Sequence, residues 1–248
     1  MIAGGRIDRA KRRVALCARL RYVVRSMKDV VRLVLVSDTH CFHEKIALPD
    51  GDVLVHAGDF SSSGSQRQAR DFAEYFRALP HPHKVVIAGN HDRCLERDPH
   101  LAAELFSSCH YLFDSAASVS DLSFWGSPWQ PWFLDWAFNL PRGEALRQKW
   151  QLIPSGIDVL VTHGPPHGIL DRTFGGDEAG CEELRHEMQR IKPRLHVFGH
   201  IHEGYGWLRR GPTLHVNASS CTFAYEPINR AIVVDVPLDR TKRATVVE

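Results

Sequence analysis

The sequence has few cysteines, and their arrangement argues against a disulfide-stapled domain. Six cysteines occur in 248 residues, and no two of them form a CxxC pair. Small secreted domains that depend on disulfides carry a much denser set, whereas scattered thiols are typical of proteins in a reducing compartment. We therefore expect reduced cysteines and a cytoplasmic protein.

The sequence also lacks a long apolar run and any internal repeat or low-complexity tract. The apolar stretch at residues 14–20 is short and interrupted by charge, and no other segment reaches the roughly 20 residues that a membrane span needs. These absences argue against a membrane protein and a repeat array. With 44% hydrophobic and 24% charged residues, the chain has the composition of an ordinary globular protein.

Positive charge is concentrated at one end of the chain. Residues 1–26 contain eight Arg or Lys residues against one Asp, whereas the whole chain has a net charge of +2, so residues 27–248 are net acidic. The segment could be a nucleic-acid or anionic-membrane arm, or a transit-like peptide. We favour a third interpretation, a basic extension that is disordered or lies outside the native start, because Met27 stands four residues before the first strand-like run.

Apolar runs rich in β-branched residues alternate with helical patterns. Strands are predicted at 31–36, 53–55, 85–88, 159–161, 195–198, 213–216 and 231–236. Helices are predicted at 66–79, 99–106, 143–150 and 181–191. This alternation indicates an α/β fold with mostly parallel pairing. In such sheets ligands bind beyond the carboxyl ends of the strands, so the loops that follow them are expected to form one site.

Polar side chains follow five of these strands. Carboxylate and amide oxygens mixed with neutral imidazoles suit borderline divalent ions such as Mn, Fe, Zn, Co or Ni. Seven ligands are too many for one tetrahedral ion and about right for two ions that share a carboxylate, roughly 3.5–4 Å apart. The candidate metal ligands are Asp38, His40, Asp59, Asn90, His163, His200 and His202.

The same residues lie in five short blocks that resemble the signature of the calcineurin-like metallophosphoesterases. The blocks DxH, GD, GNHD, a strand-borne His and GHxH occur complete and in order at 38–40, 58–59, 89–92, 163 and 199–202. Further stretches at 126–133, 138–143, 162–166, 194–206 and 216–221 resemble the subgroup of metallophosphoesterase domain-containing proteins. The similarity runs from about residue 31 to 236, which leaves residues 1–26 outside it.

The resemblance implies features that the strand pattern alone does not. The expected fold is a four-layer α/β/β/α sandwich, with residues 27–248 as a single metallophosphoesterase domain. Some vertebrate members replace the first His of GHxH by Gly and are weak enzymes, whereas this chain keeps His200. The resemblance assigns one ion to Asp38, His40 and His202 and the other to Asn90, His163 and His200, with Asp59 bridging.

Two residues of the GNHD block are predicted to be catalytic. Because metal ions lower the pKa of bound water toward about 7, we hypothesise that a hydroxide bridging the two ions attacks phosphorus. His91, next to the ligand Asn90, is expected to bind the phosphate and protonate the leaving oxygen. Asp92 is expected to hold the His91 ring in the required tautomer, and a plain helix cap is the alternative.

The substrate pocket is less defined by the sequence. Residues 125–138 are rich in tryptophan, which either fills core or presents a flat wall to a nucleobase. Trp129 is the candidate for that wall. Asn139 and His167, near motif loops, are candidates for substrate contacts.

The leading hypothesis is a metal-dependent phosphodiesterase that acts on small nucleotide-like or cyclic-nucleotide diesters. A phosphomonoesterase or a nuclease with the same metal core, or a nucleotide-binding scaffold with vestigial turnover, are the alternatives. Two divalent ions are the expected cofactors, with Mn²⁺ first and Fe, Zn, Co, Ni or Mg as alternatives. A small phosphodiester or nucleotide is the expected partner, without membrane or stable nucleic-acid binding, and the oligomeric state stays open.

Overall fold

The computed structural model describes residues 29–247, and the predicted basic extension at residues 1–26 lies outside them. Strands and helices alternate along much of the chain, as predicted. The strands are β1 Val30–Val36, β2 Val53–His56, β3 His83–Val86, β4 His110–Tyr111, β5 Ser115–Val119, β6 Leu122–Ser127, β7 Gln130–Pro131, β8 Asn139–Leu140, β9 Val159–Thr162, β10 Leu195–Phe198, β11 Gly206–Arg210, β12 Thr213–Asn217, β13 Ile232–Pro237 and β14 Thr245–Val247. The helices are α1 Gln66–Ala78, α2 Arg93–Arg97, α3 Pro99–Leu105, α4 Glu144–Gln151 and α5 Glu182–Ile191.

Two six-stranded sheets carry most of these strands. The first has the order β14-β13-β1-β2-β3-β4, and its neighbours from β1 to β4 are parallel. The second has the order β11-β12-β10-β9-β6-β5, with β12, β10, β9 and β6 parallel and the edge strands β11 and β5 antiparallel. The prediction of mostly parallel pairing is therefore correct for the centre of both sheets.

Three apolar clusters define the layers. Between the sheets, Leu33 of β1 packs in one core with Val159 of β9 and Val197 of β10. Helices cover the outer face of each sheet: α1, α2 and α3 cover the first sheet, and α4 and α5 cover the second. Parallel strands read as continuous apolar runs when both faces are buried in this way. The layers follow the order α/β/β/α, as the resemblance implies.

Helix α1 illustrates why the local sequence adopts this structure. Ser65 caps its N-terminus, because the Ser65 side chain accepts a hydrogen bond from the backbone N–H of Gln68. Phe72 and Phe76 recur at helical spacing and are buried against the first sheet. Burying a phenylalanine side chain contributes about 1.5–3 kcal/mol, so these residues fix the helix on the sheet.

The strand directions determine where polar loops meet. β1, β2, β3, β9 and β10 all end at the same edge of the sandwich, where the backbone links the two sheets: Ser37 N–H donates to Ala218 O (2.9 Å) and Ser220 N–H donates to Ser37 O (2.7 Å). Within residues 29–247, no helix has the length and apolar character needed to cross a membrane.

Candidate metal centre

The loops that leave the strands adopt strained backbone conformations at ligand positions. Asp38 (φ 51°), His40 (φ 42°), Asp59 (φ 57°) and His200 (φ 68°) all lie in the left-handed region. A non-glycine residue there costs about 1–3 kcal/mol, and such strain persists where the surroundings fix it. Backbone hydrogen bonds do so here, since Asp38 N–H donates to Gly58 O (2.9 Å) and His40 N–H donates to Asp59 O (3.0 Å). This backbone conformation directs the four side chains toward the candidate metal centre.

Two glycines of the GNHD and GHxH blocks lie so close to neighbouring ligand residues that no larger side chain fits. A Cβ on Gly199 would fall on the carboxylate of Asp38 and the side chain of Ser37. A Cβ on Gly89 would fall on the carboxylate of Asp59 and on the His163 ring. Glycine at these positions therefore lets ligands from different blocks approach one another.

Asp38, His40 and His202 form the first group of ligands. The Nε2 atoms of His40 and His202 lie 3.3 Å apart, and His202 Nε2 lies 3.4 Å from Asp38 Oδ1. The other ring nitrogen of each histidine faces a backbone carbonyl, Ser61 O (3.3 Å) for His40 and Thr222 O (2.9 Å) for His202. A carbonyl only accepts, so Nδ1 carries the proton in the neutral rings, which leaves both Nε2 atoms as acceptors facing each other.

Asp59, Asn90, His163 and His200 form the second group. His163 Nε2 lies 2.9 Å from Asn90 Oδ1 and 3.4 Å from Asp59 Oδ2, while its Nδ1 donates to Ala57 O (2.9 Å). One ligand atom each of Asp59, His163 and His200 lies within 4.8 Å of the others. Asp59 also belongs to a cluster with His40 and His91, so it lies between the two groups. The structure thus brings together all seven predicted ligands.

The donor set fits divalent metal ions. In each group several Nε2 and side-chain oxygen atoms converge, and with neutral rings no hydrogen lies between them, so the arrangement is unfavourable unless a proton or a metal ion lies among them. Buried carboxylate and amide oxygens with backbone-oriented imidazoles are the ligands that divalent metals take in proteins. The shared position of Asp59 fits two neighbouring ions.

The charges of the centre follow from burial and mutual proximity. Burial disfavours the charged forms of Asp38 and Asp59, but the surrounding imidazoles outweigh it and hold the pKa of both carboxyls well below the usual range. Burial also opposes charging of His163 and His202, yet the adjacent carboxylates raise the pKa of each to about 9. A proton and a metal ion compete for the same Nε2 atom, so metal binding at these two histidines releases protons.

His91 faces the centre without belonging to either ligand group. Its Nδ1 donates to Ser62 O (2.7 Å), which leaves Nε2 directed into the site, 3.9 Å from Asp59 Oδ2. The ring packs against the indole of Trp136 with 4.1 Å between centroids. His91 is therefore held at a fixed orientation by its neighbours.

Asp92 does not contact the His91 ring, which corrects the role predicted for it. Its carboxylate accepts hydrogen bonds from the backbone N–H groups of Asp59 (2.9 Å), Gly89 (2.8 Å) and Ser61 (3.0 Å) and from the Ser61 hydroxyl (2.7 Å). Its side chain makes no capping bond to α2 either. A buried carboxylate surrounded by four donors has no acceptor site left for the imidazole, and Asp92 instead binds the GD and GNHD loops to each other.

A cavity of about 590 Å³ opens onto the ligands. Besides the ligand Asp59, the charged residues that line it are Arg142, Asp177 and Glu203, and the guanidinium of Arg142 donates to Gly180 O (2.8 Å) and Ala179 O (2.9 Å). Five aromatic residues line it, and all five are exposed: Trp132, Phe133, Phe174, Phe223 and Tyr225. An apolar rim around a few polar groups is typical of a small-molecule site.

Of the four residues proposed for substrate contacts, His91 lines this cavity and the other three do not. Trp129 lies outside this cavity, since its indole N–H donates to Asp114 Oδ2 (2.9 Å) and its half-buried ring packs against the apolar core. The amide of Asn139 donates to three carbonyls of its own loop, between Phe133 and Trp136, so it shapes the loop instead. His167 does not line the cavity and lies 3.5 Å from Glu178.

Two further residues contact the metal ligands and were not predicted from the sequence. The hydroxyl of Ser219 donates to Asp38 Oδ2 (2.9 Å) and orients that carboxylate. Ser219 falls in the stretch 216–221, whose resemblance to the subgroup was a usable signal. The ring of Tyr225 stands edge-on to His40 with 4.8 Å between centroids, and no sequence pattern marks it.

A two-sheet sandwich with a shared-carboxylate ligand set at its strand ends defines a class, the metal-dependent phosphoester hydrolases. Residues 31–204 match the calcineurin-like phosphoesterase family, and the chain belongs to it. Within this family the chain belongs to the metallophosphoesterase domain-containing subgroup. It is 46% identical over 234 residues to metallophosphoesterase domain-containing protein 1 of Homo sapiens, which covers 84% of this chain and 72% of that protein.

Two more distant proteins are also similar to this chain. UPF0046 protein T07D4.2 of Caenorhabditis elegans is 37% identical over 242 residues, covering 85% of this chain and 61% of that protein. The crystal structure of TT1561 of Thermus thermophilus superposes with a TM-score of 0.56 at 15% identity, over 88% of this chain and 99% of that one. At that identity the second comparison concerns the fold alone.

Proposed function

We propose that the protein is a metal-dependent phosphodiesterase that hydrolyses small nucleotide-like or cyclic-nucleotide phosphodiesters. The observation that carries this proposal is the pair of convergent ligand groups that meet at Asp59 and open into a cavity with an aromatic rim. When bound, two divalent ions, with Mn²⁺ proposed first, lower the pKa of a coordinated water and polarise the phosphoryl oxygens. The protein supplies the ligand geometry around them.

His91 is proposed as the residue that moves a proton. Because Ser62 O fixes the Nδ1 proton, Nε2 is the atom available to a substrate oxygen at the ligand groups. Protonation of the leaving oxygen from this atom assists departure of an alkoxide, which is a poor leaving group. When both ring nitrogens carry a proton, Nε2 also donates a hydrogen bond to a phosphate oxygen. His91 would then both bind the phosphate and protonate the leaving oxygen.

The cavity supports a small diester as the substrate. Its volume of about 590 Å³ falls in the range of roughly 300–1,000 Å³ that small ligands occupy. Its aromatic rim provides apolar contact for an organic group, and Arg142 adds a cation to the lining. A phosphate at the ligands with an organic group against the rim matches a nucleotide-like diester.

Comparing two chromogenic esters tests the reaction type. The Mn²⁺-loaded protein should hydrolyse bis(p-nitrophenyl) phosphate faster than p-nitrophenyl phosphate, and a chelator should abolish both activities. A strong preference for the monoester would favour the phosphomonoesterase alternative. Tight nucleotide binding without turnover in Mn, Mg, Fe, Co or Ni would favour the scaffold.

We also propose a cytoplasmic location. Its support is that the five cysteines within residues 29–247 are free thiols, as a reducing compartment maintains. Fractionation of cells that express the protein tests this.

A further inference from the structure

Two strongly exposed phenylalanines lie beside each other at the rim of the cavity. Phe174 is 84% exposed and Phe223 is 64% exposed. Their rings are 5.8 Å apart between centroids and only 13° from parallel. Both line the cavity that contains His200 and His202. Large apolar side chains left this open to water commonly mark a surface that a ligand covers.

The backbone segments that carry both rings are hydrogen-bonded to the loop at residues 202–203. The backbone N–H of Phe174 donates to Oε1 of Glu203 (2.6 Å), the residue after His202. His202 itself donates from Nδ1 to the carbonyl of Thr222 (2.9 Å), the residue before Phe223. The loop at residues 202–203 therefore fixes the position of both segments relative to the metal ligands.

The turns that carry the rings are closed by their own hydrogen bonds. Thr173 N–H donates to Asp177 O (2.9 Å) around the first ring, and Tyr225 N–H donates to Thr222 O (2.8 Å) after the second. Each phenylalanine thus has an ordered backbone although its side chain is exposed. An ordered backbone that presents an open ring loses little conformational entropy when a ligand packs on that ring.

We propose that Phe174 and Phe223 form a stacking platform for the planar base of a nucleotide whose phosphate lies at His200 and His202, an inference that rests on the proposed function. Two nearly parallel rings present flat faces, and every nucleobase can stack on such faces with little sequence preference. Glu203 acts as a positioning residue, because it holds the backbone of Phe174. The platform selects for a flat organic group on the phosphate rather than for a particular base.

Paired ligands with and without a base test the platform. Binding of AMP and of ribose 5-phosphate to the Mn²⁺-loaded protein is measured by calorimetry. We expect AMP to bind about tenfold or more tightly than ribose 5-phosphate, from the usual strength of stacking on an aromatic ring. In the double variant Phe174→Ala/Phe223→Ala this preference should be lost, while the affinity for ribose 5-phosphate is unchanged.

Trp207→Ala is the matched control. Trp207 is an exposed aromatic residue on β11 that does not line the cavity, so its removal should leave the preference for AMP intact. Equal binding of the two ligands by the wild type, binding of neither, or the same loss in the Trp207 variant would overturn the platform. If AMP is preferred as expected but no diester is hydrolysed, the proposed function fails and the platform stands.

The positioning role of Glu203 has its own readout. Glu203→Gln keeps a side-chain oxygen that can accept from Phe174 N–H, so this variant should retain the preference for AMP. Glu203→Ala removes the acceptor and should reduce the preference without removing ribose 5-phosphate binding. A full preference in the alanine variant would show that Glu203 does not position the ring.

Discussion

The Nε2 atoms of His40 and His202 lie 3.3 Å apart, although 162 positions separate the two residues in the chain. Each ring has its Nδ1 atom facing a backbone carbonyl, so in the neutral rings the two facing atoms are both lone-pair acceptors. A cation between them, either the proton that the raised pKa of His202 retains at neutral pH or a metal ion that displaces it, turns this unfavourable contact into a favourable one. The stability of the fold should therefore depend on divalent metal.

We expect Mn²⁺ to raise the melting temperature of the chelated protein. Binding at 100 times the dissociation constant stabilises a folded protein by about 2.7 kcal/mol per site, which is roughly 5–10 °C for a chain of this size. His202→Ala should lose a large part of this shift. His186→Ala, at an exposed position, should keep it, and an undiminished shift in the His202 variant would contradict the first ligand group.

Asp92→Asn should destabilise the protein and weaken metal binding. An amide at this position turns an NH₂ group toward backbone N–H groups that now donate to the carboxylate, so buried donors lose their acceptor. The cost is about 1–3 kcal/mol, measured by urea denaturation. Asp71→Asn on the exposed face of α1 serves as the control and should stay within about 0.5 kcal/mol of the wild type.

Gly199→Ala should lower the metal affinity of the first ligand group by about tenfold to 100-fold, measured by calorimetry with Mn²⁺. The added Cβ collides with the carboxylate of Asp38 and moves this ligand. Gly164→Ala is the matched control, since its Cβ would meet only ordinary contacts, at 3.6 Å to Gln130 and 3.9 Å to His200. Equal affinities in the two variants would show that close approach at Gly199 is not required.

The central strands and the polar loops could be predicted from the sequence for a physical reason. Strands buried on both faces read as apolar runs, and parallel strands end at one edge of a sheet. The loops after β1, β2 and β3 therefore had to meet, and so did the loops after β9 and β10. The four-layer arrangement came from the resemblance, because nothing in the strand pattern indicates that seven predicted strands divide between two sheets.

The short strands β5 to β8 and the aromatic residues of the cavity are only weakly indicated by the sequence. β5 to β8 are two to six residues long, and β5 is largely half-buried or exposed, so no clear apolar run marks them. The sequence pointed to an aromatic wall in residues 125–138 but to a different tryptophan: Trp132 lines the cavity, whereas the half-buried Trp129 packs against the core. Phe174 and Phe223 meet only through tertiary folding.

Stability should decrease in mild acid partly because of His215, which is buried in β12. Burial, with added repulsion from Arg185 and Arg210, lowers the pKa of His215 to about 3. Between roughly pH 6.5 and 3 the unfolded chain therefore binds a proton that the folded chain does not. The free energy of unfolding from this residue falls as pH decreases through that window, by about 1.4 kcal/mol per pH unit, and is constant above it.

His215→Gln removes this contribution. The free energy of unfolding of the variant, measured in urea from pH 7 to pH 5, should depend less steeply on pH than that of the wild type by about one proton. His186→Gln replaces an exposed histidine and should leave the slope unchanged. A wild-type slope in the His215 variant would contradict the buried neutral state of this residue.

The most direct test of a shared two-ion centre is the metal content and diester turnover of His200→Gly beside the wild type. His200 belongs to the second ligand group with Asp59 and His163. By mass spectrometry of Mn²⁺-loaded protein, we expect two ions per chain in the wild type and one in the variant, with hydrolysis of bis(p-nitrophenyl) phosphate reduced at least about 100-fold. A single ion in the wild type, or two ions and undiminished turnover in the variant, would contradict it.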